Sequence, residues 1–170
     1  MDRGLVHLYC GDGKGKTTAA MGLGLRALGR GLRVTVVQFL KSGNSGELAP
    51  LRDLGAVIFT GKAGTKFVSE MTEAEKTATR NLSDENLRAA LETPCDLLIL
   101  DEACAAARLG MVEEDLLKKA VLDRPAGREV VLTGRDPADW MAEAADYLTE
   151  MRCEKHPFRR GIAARKGVEY

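Results

Sequence analysis

Two hydrophobic rhythms alternate along this chain. Short continuous apolar runs, near residues 5–10, 33–40, 56–60, 97–101, 129–133 and 147–151, are separated by segments of longer period. Continuous runs suit strands covered on both faces, and recurrence every third or fourth residue suits a helix with one buried side. The spacing predicts helices over residues 16–28, 48–54, 73–91 and 136–145. A further helix carries Val112, Leu116, Leu117, Ala120 and Val121 on one face. Gly29-Arg30-Gly31 stops the first helix, and Thr72-Glu73-Ala74-Glu75 is a capping box for the third, which Pro94 blocks from continuing. Asp136-Pro137 reads as a cap followed by proline at the first helical position. Gly22 and Gly24 are expected to let the first helix approach the sheet closely. Residues 41–47 read as a mobile polar loop, and the basic tail from Arg152 reads as irregular. Alternating strands and helices predict an α/β fold. It has a mostly parallel central sheet with helices on both faces, in one domain over residues 1–170.

The loop between the first strand and the first helix is Gly11-Asp12-Gly13-Lys14-Gly15-Lys16-Thr17-Thr18. Strand, glycine loop, helix is the order a phosphate cradle needs. Glycines let several N–H groups turn toward one anion. The helix N-terminus adds roughly half a positive charge. Lys16 brings a full charge on a flexible stem, and Thr17 offers a hydroxyl to a magnesium ion. Gly15-Lys16-Thr17 fit the second half of the pattern G-x-x-x-x-G-K-[ST], while Cys10 stands where its first glycine would fall. The fourth run, Leu97-Leu98-Ile99-Leu100, ends in Asp101-Glu102. Carboxylates at such a strand end sit where open α/β sheets bind ligands, and they can hold magnesium directly or through water. The alternative for Asp101 is a cap on the following helix. The two features together predict a nucleoside triphosphate site.

Charge and cysteine usage narrow the partners. Lys plus Arg equals Asp plus Glu, at 25 each in 170 residues, which offers no case for nucleic acid. No apolar run approaches the ~18 residues of a membrane span. Met1-Asp2-Arg3 leads into the first strand without a signal-peptide pattern, so a cytoplasmic protein is expected. Cys10, Cys95, Cys104 and Cys153 form no C-x-x-C pair, against a zinc or redox motif. Cys10 and Cys104 read as buried inert thiols, or as neighbours near the nucleotide. His7 reads as structural and Trp140 as core. Arg135 either reaches the nucleotide or caps the sheet edge. His156 either anchors the tail or touches substrate.

Several stretches together resemble the P-loop type of ATP:corrinoid adenosyltransferase. They are Tyr9 through Ala20 around the glycine loop, Val37-Gln38-Phe39-Leu40-Lys41, Leu100-Asp101-Glu102 and Glu129-Val130-Val131-Leu132-Thr133-Gly134-Arg135. The others are Thr149-Glu150-Met151-Arg152, Lys155-His156-Pro157-Phe158 and the terminal run Gly161-Ile162-Ala163-Ala164-Arg165-Lys166-Gly167-Val168-Glu169-Tyr170. The last is the most specific, since generic P-loop proteins have no reason to end this way.

The resemblance implies a P-loop NTPase fold of the RecA-like kind. It also implies transfer of the 5′-deoxyadenosyl group of ATP to the Co(I) of a reduced corrinoid, with release of triphosphate and with ATP held reversed in the loop. Lys16, Lys14 and Glu102 take the catalytic roles on this reading. Gly11, Asp12, Gly13, Lys14, Gly15, Lys16, Thr17, Thr18 and Arg26 bind nucleotide. Thr17 and Glu102 hold magnesium, with Asp101 as second candidate. Phe67 is expected to press on the corrinoid ring. Here Phe67-Val68-Ser69 aligns with an aromatic pair in many relatives, with serine in place of tryptophan, and Ala103-Cys104-Ala105 follow Glu102 where relatives tend to have a polar residue. A homodimer and an electron donor such as a reduced flavoprotein are implied as partners, without nucleic acid or membrane. Two other readings stand beside the transferase: a small P-loop ATPase or kinase, and a non-catalytic paralogue that binds ATP or corrinoid.

Overall fold

The computed structural model describes residues 3–62, 64 and 66–169. Met1, Asp2 and the terminal Tyr170 of the resemblance lie outside them. Six strands form one sheet: β1 (Val6–Cys10), β2 (Val34–Gln38), β3 (Val57–Thr60), β4 (Leu97–Asp101), β5 (Glu129–Thr133) and β6 (Tyr147–Glu150). Their order is β3-β2-β4-β5-β1-β6, and every pairing is parallel. The predicted α/β class is therefore met with a wholly parallel sheet. The helices are α1 (Lys16–Leu28), α2 (Leu48–Asp53), α3 (Glu73–Glu92), α4 (Ala103–Arg108), α5 (Glu114–Leu122) and α6 (Asp139–Ala144).

β4 shows why the continuous apolar runs are strands. All five of its residues are buried. Leu98 and Leu100 enter the core shared with α3, α4, α5 and α6, while Leu97 and Ile99 enter the core shared with α1 and α2. Side chains of one strand alternate between two faces, so a strand covered on both sides must be apolar throughout. Gly24 of α1 meets this sheet closely: an added Cβ would lie 3.0 Å from Ile99 Cδ1. Gly22 has open space around it, so the expected close approach rests on Gly24 alone.

The capping box at α3 forms as predicted. Thr72 Oγ1 accepts from the Glu75 N–H at 3.2 Å, and Glu75 Oε2 accepts from the Thr72 N–H at 2.7 Å. Hydrogen bonds from Lys66 and Thr72 hold the Glu75 carboxyl at about 2. The cap predicted at Asp136-Pro137 does not form. Asp136 takes a left-handed φ of 49° and α6 begins later, with Ala138 at its N-cap. The tail is not wholly irregular, since residues Pro157–Arg160 form a 3-10 turn. No described helix is long and apolar enough to cross a membrane.

Candidate functional site

Strand ends of a parallel sheet point the same way, so β1, β2, β4 and β5 deliver their last residues to one edge. The glycine loop leaves β1 there and enters α1. Cys10 stays extended and paired in β1, so no glycine is needed at its position. The left-handed backbone falls instead at Gly11 (φ 99°) and Gly15 (φ 118°). This accounts for the mismatch in the loop pattern.

An open cleft of about 1100 Å³ lies over the loop. Asp12, Gly13, Lys14, Gly15, Lys16, Thr17, Thr18 and Glu102 all line it. Lys16 Nζ donates to the carbonyls of Gly11 and Gly13, both at 2.7 Å. Burial, then the neighbouring Arg135, lowers the Lys16 pKa, and Glu102 opposes them. Thr17 Oγ1 donates to Asp101 Oδ1 at 2.8 Å. Asp101 is fully buried and also accepts from Thr133, Gln38 and Lys41. It anchors Thr17 and does not cap α4, whose N-cap is Glu102.

Glu102 has a left-handed φ of 61°, held by its N–H donating to Thr133 Oγ1 at 2.9 Å. That backbone turns its half-buried side chain into the cleft. Burial, then the adjacent Asp101, raises its pKa, while Lys41 and Lys16 oppose. Among the described residues, no group of three or more His, Cys, Asp or Glu side chains converges on a metal position. A magnesium ion here would need phosphate oxygens to complete its shell. Thr17, which donates its proton to Asp101, accepts from Lys41 Nζ at 3.3 Å and keeps its other lone pair, and Glu102, open to the cleft, fit that requirement.

The chain beyond β6 crosses the loop. The Gly13 N–H donates to the Met151 carbonyl at 2.7 Å, and the Cys153 N–H to Asp12 Oδ1 at 3.0 Å. Lys14 Nζ donates to the Val168 carbonyl at 3.1 Å. Asp12, Gly13 and Lys14, all read as nucleotide-binding, thus have partners within the protein. Gly11 lies under this crossing, where an added Cβ would sit 2.4 Å from the Met151 oxygen. It does not line the cleft. Nor does Arg26, exposed in the last turn of α1. Arg135 and His156 do line it, along with Arg108.

Phe67 lies elsewhere, 75% exposed, on the rim of a second cavity of about 450 Å³ with Leu40, Lys62, Lys76 and Leu109. The two cavities are lined by chain neighbours: Lys41 and Arg108 line the first, and Leu40 and Leu109 line the second. Cys10 and Cys104 are buried free thiols, and burial pushes Cys104 up to about 12. His7 is structural as expected: its Nε2 lies 2.6 Å from Glu129 Oε1 and its ring stacks on Tyr147.

Sequence reasoning gave no role to Lys41, Gln38 or Thr133. One signal was present, since Gln38 is a polar residue ending a valine run, and a buried amide needs partners. It finds them in Asp101, Glu47 and Ser45, which also tie the loop expected to be mobile onto the cleft.

The family model described as ATP:corrinoid adenosyltransferase BtuR/CobO/CobP matches residues 2–170. A corrinoid adenosyltransferase of Pseudomonas aeruginosa is 37% identical over 172 residues, covering 99% of this chain and 85% of that one. One from Escherichia coli K12 is 32% identical over 170 residues, covering 99% and 87%. The corrinoid adenosyltransferase CobA of Salmonella typhimurium is 31% identical, with the same coverage. With its glycine loop, its acidic strand end and its tail matched in one continuous span, this chain belongs to the ATP:corrinoid adenosyltransferase family.

Proposed function

We propose that this protein transfers the 5′-deoxyadenosyl group of ATP to the cobalt of a reduced corrinoid. The carrying observation is the pair of cavities lined by chain neighbours, within a family match that spans the described fold. The loop cleft takes ATP, and the cavity beside Phe67 takes part of the corrinoid. The Co(I) electron pair forms the bond to C5′, the C5′–O bond breaks, and its electrons leave on triphosphate. The nucleophile comes with the substrate, so the protein supplies position and electrostatics.

Lys16 holds the departing triphosphate by exchanging its two carbonyl partners for phosphate oxygens. Lys14 adds a second charge at the mouth, and Arg135 and Arg108 line the far wall. Charge placed where it develops in the transition state is the effective kind of stabilisation. Thr17 and Glu102 would hold magnesium, which when bound neutralises charge on the triphosphate. Phe67 presents an aromatic face to the corrinoid ring. A homodimer and a reducing protein partner, such as a flavoprotein, complete the reading.

Anaerobic incubation with Mg-ATP and chemically reduced cobalamin tests it. A light-sensitive cobalt–carbon product with equimolar triphosphate is expected. ADP as the only phosphate product would move the reading to an ATPase or kinase. Bound but unreacted ATP would move it to a binding paralogue.

A further inference from the structure

Asp101 accepts four hydrogen bonds at its carboxylate. Oδ1 takes them from Thr17 Oγ1 at 2.8 Å and Thr133 Oγ1 at 2.7 Å. Oδ2 takes them from Gln38 Nε2 at 3.1 Å and Lys41 Nζ at 2.8 Å. A carboxylate offers about four lone-pair sites, so Asp101 is saturated. Of these donors only Lys41 carries charge, and it sits 3.3 Å from Thr17 Oγ1 as well. Its ammonium therefore bridges a buried carboxylate and the loop hydroxyl. The backbone is bent to put it there, since Leu40 just before it adopts a left-handed φ of 58°. A non-glycine residue held in that conformation needs surrounding structure to enforce it.

We propose that Lys41 is a positioning residue, the built-in counter-ion that keeps a divalent cation off Asp101. With Asp101 neutralised and saturated, the Thr17 hydroxyl keeps donating to Asp101, and the Thr17 lone pair that Lys41 does not take is left for the cleft. The cation is then left to Thr17 and Glu102 beside the triphosphate. This rests on the reading of the cleft as a metal–triphosphate site.

The test uses full-length protein with Mn2+ alone, without nucleotide or corrinoid. A failed transferase assay therefore leaves it standing, and its own failure leaves the transferase reading standing. Removing the ammonium exposes a buried charge to any cation that can reach it. Lys41→Met is expected to bind Mn2+ about tenfold or more tighter than wild type, read by electron paramagnetic resonance. It is expected to melt lower, and to regain Tm as Mn2+ is added, whereas wild-type Tm stays put. In Lys41→Met/Asp101→Asn the gain in Mn2+ affinity is expected to vanish. Unchanged or weaker Mn2+ binding by the single variant overturns the proposal. A gain that survives in the double variant does so too. So does a Lys41→Met chain that melts lower, or fails to fold, and is not restored by Mn2+, because a purely structural lysine would behave that way.

Discussion

On the proposed function, Lys16 spends its charge on the protein until triphosphate arrives. Its two carbonyl partners belong to the loop that carries it, so the ammonium is already centred over the cradle. Exchanging neutral carbonyls for phosphate oxygens strengthens each bond, because charge-assisted hydrogen bonds are roughly twice as strong as neutral ones. Lys16→Ala is expected to lose at least about 1.5–3 kcal/mol of triphosphate stabilisation, tenfold or more in kcat/KM, with the far-ultraviolet circular dichroism intact. A Lys16→Ala variant with normal turnover would sink the role given to this residue. At the same scale, Cys10 shows how a sequence pattern can miss by one position and lose nothing. Only residues with left-handed backbone demand glycine, and those are Gly11 and Gly15.

At the scale of elements, the glycine loop is held from two sides: α1 below it and the chain following β6 above it. Gly13 is buried under that crossing, and an added Cβ would meet the Met151 oxygen at 2.7 Å and the Arg152 carbonyl carbon at 2.8 Å. Both are backbone atoms and cannot swing aside. Gly13→Ala is therefore expected to destabilise the fold by about 1–3 kcal/mol, measured by urea unfolding. Full stability would show that the crossing gives way easily. The opposite edge of the sheet is stapled by Asp96, which accepts from the Arg33 N–H and guanidinium at 2.8–3.1 Å, joining the starts of β2 and β4. These bonds from Arg33 hold the Asp96 carboxyl well below its usual 3.8. A depressed carboxyl contributes stability that is complete above its unfolded value and is lost as pH falls through the folded one. Asp96→Asn is expected to lower Tm modestly at pH 7, with a deficit that shrinks as pH falls below 3.8. A deficit that stays constant down that range would show that the pair contributes nothing through charge.

The whole molecule brings two cavities to neighbouring chain positions. Adjacent residues, Leu40 with Lys41 and Arg108 with Leu109, line different cavities. On the proposed function, Phe67→Ala is expected to slow adenosylation more when the corrinoid is supplied as Co(II) than as pre-reduced Co(I). Equal losses from both states would count against a role for Phe67 in reduction. The periodicity, the glycine loop and the acidic strand end were enough to determine the α/β class, the positions of the six strands and most of the predicted residues that line the loop cleft. Each depends on local spacing, either of apolar residues or of glycines before a helix. Lys41, Gln38 and Thr133 could not be read that way. Gln38 ends β2, Lys41 lies just beyond it and Thr133 ends β5; these strands are separated from β4 in sequence and flank it only in the sheet, so the convergence on Asp101 exists only after folding. The crossing of the tail over Gly11 and Gly13 and the second cavity have the same origin. Parallel strand order brings distant segments to one edge, and no periodicity within a segment encodes which neighbour it will meet.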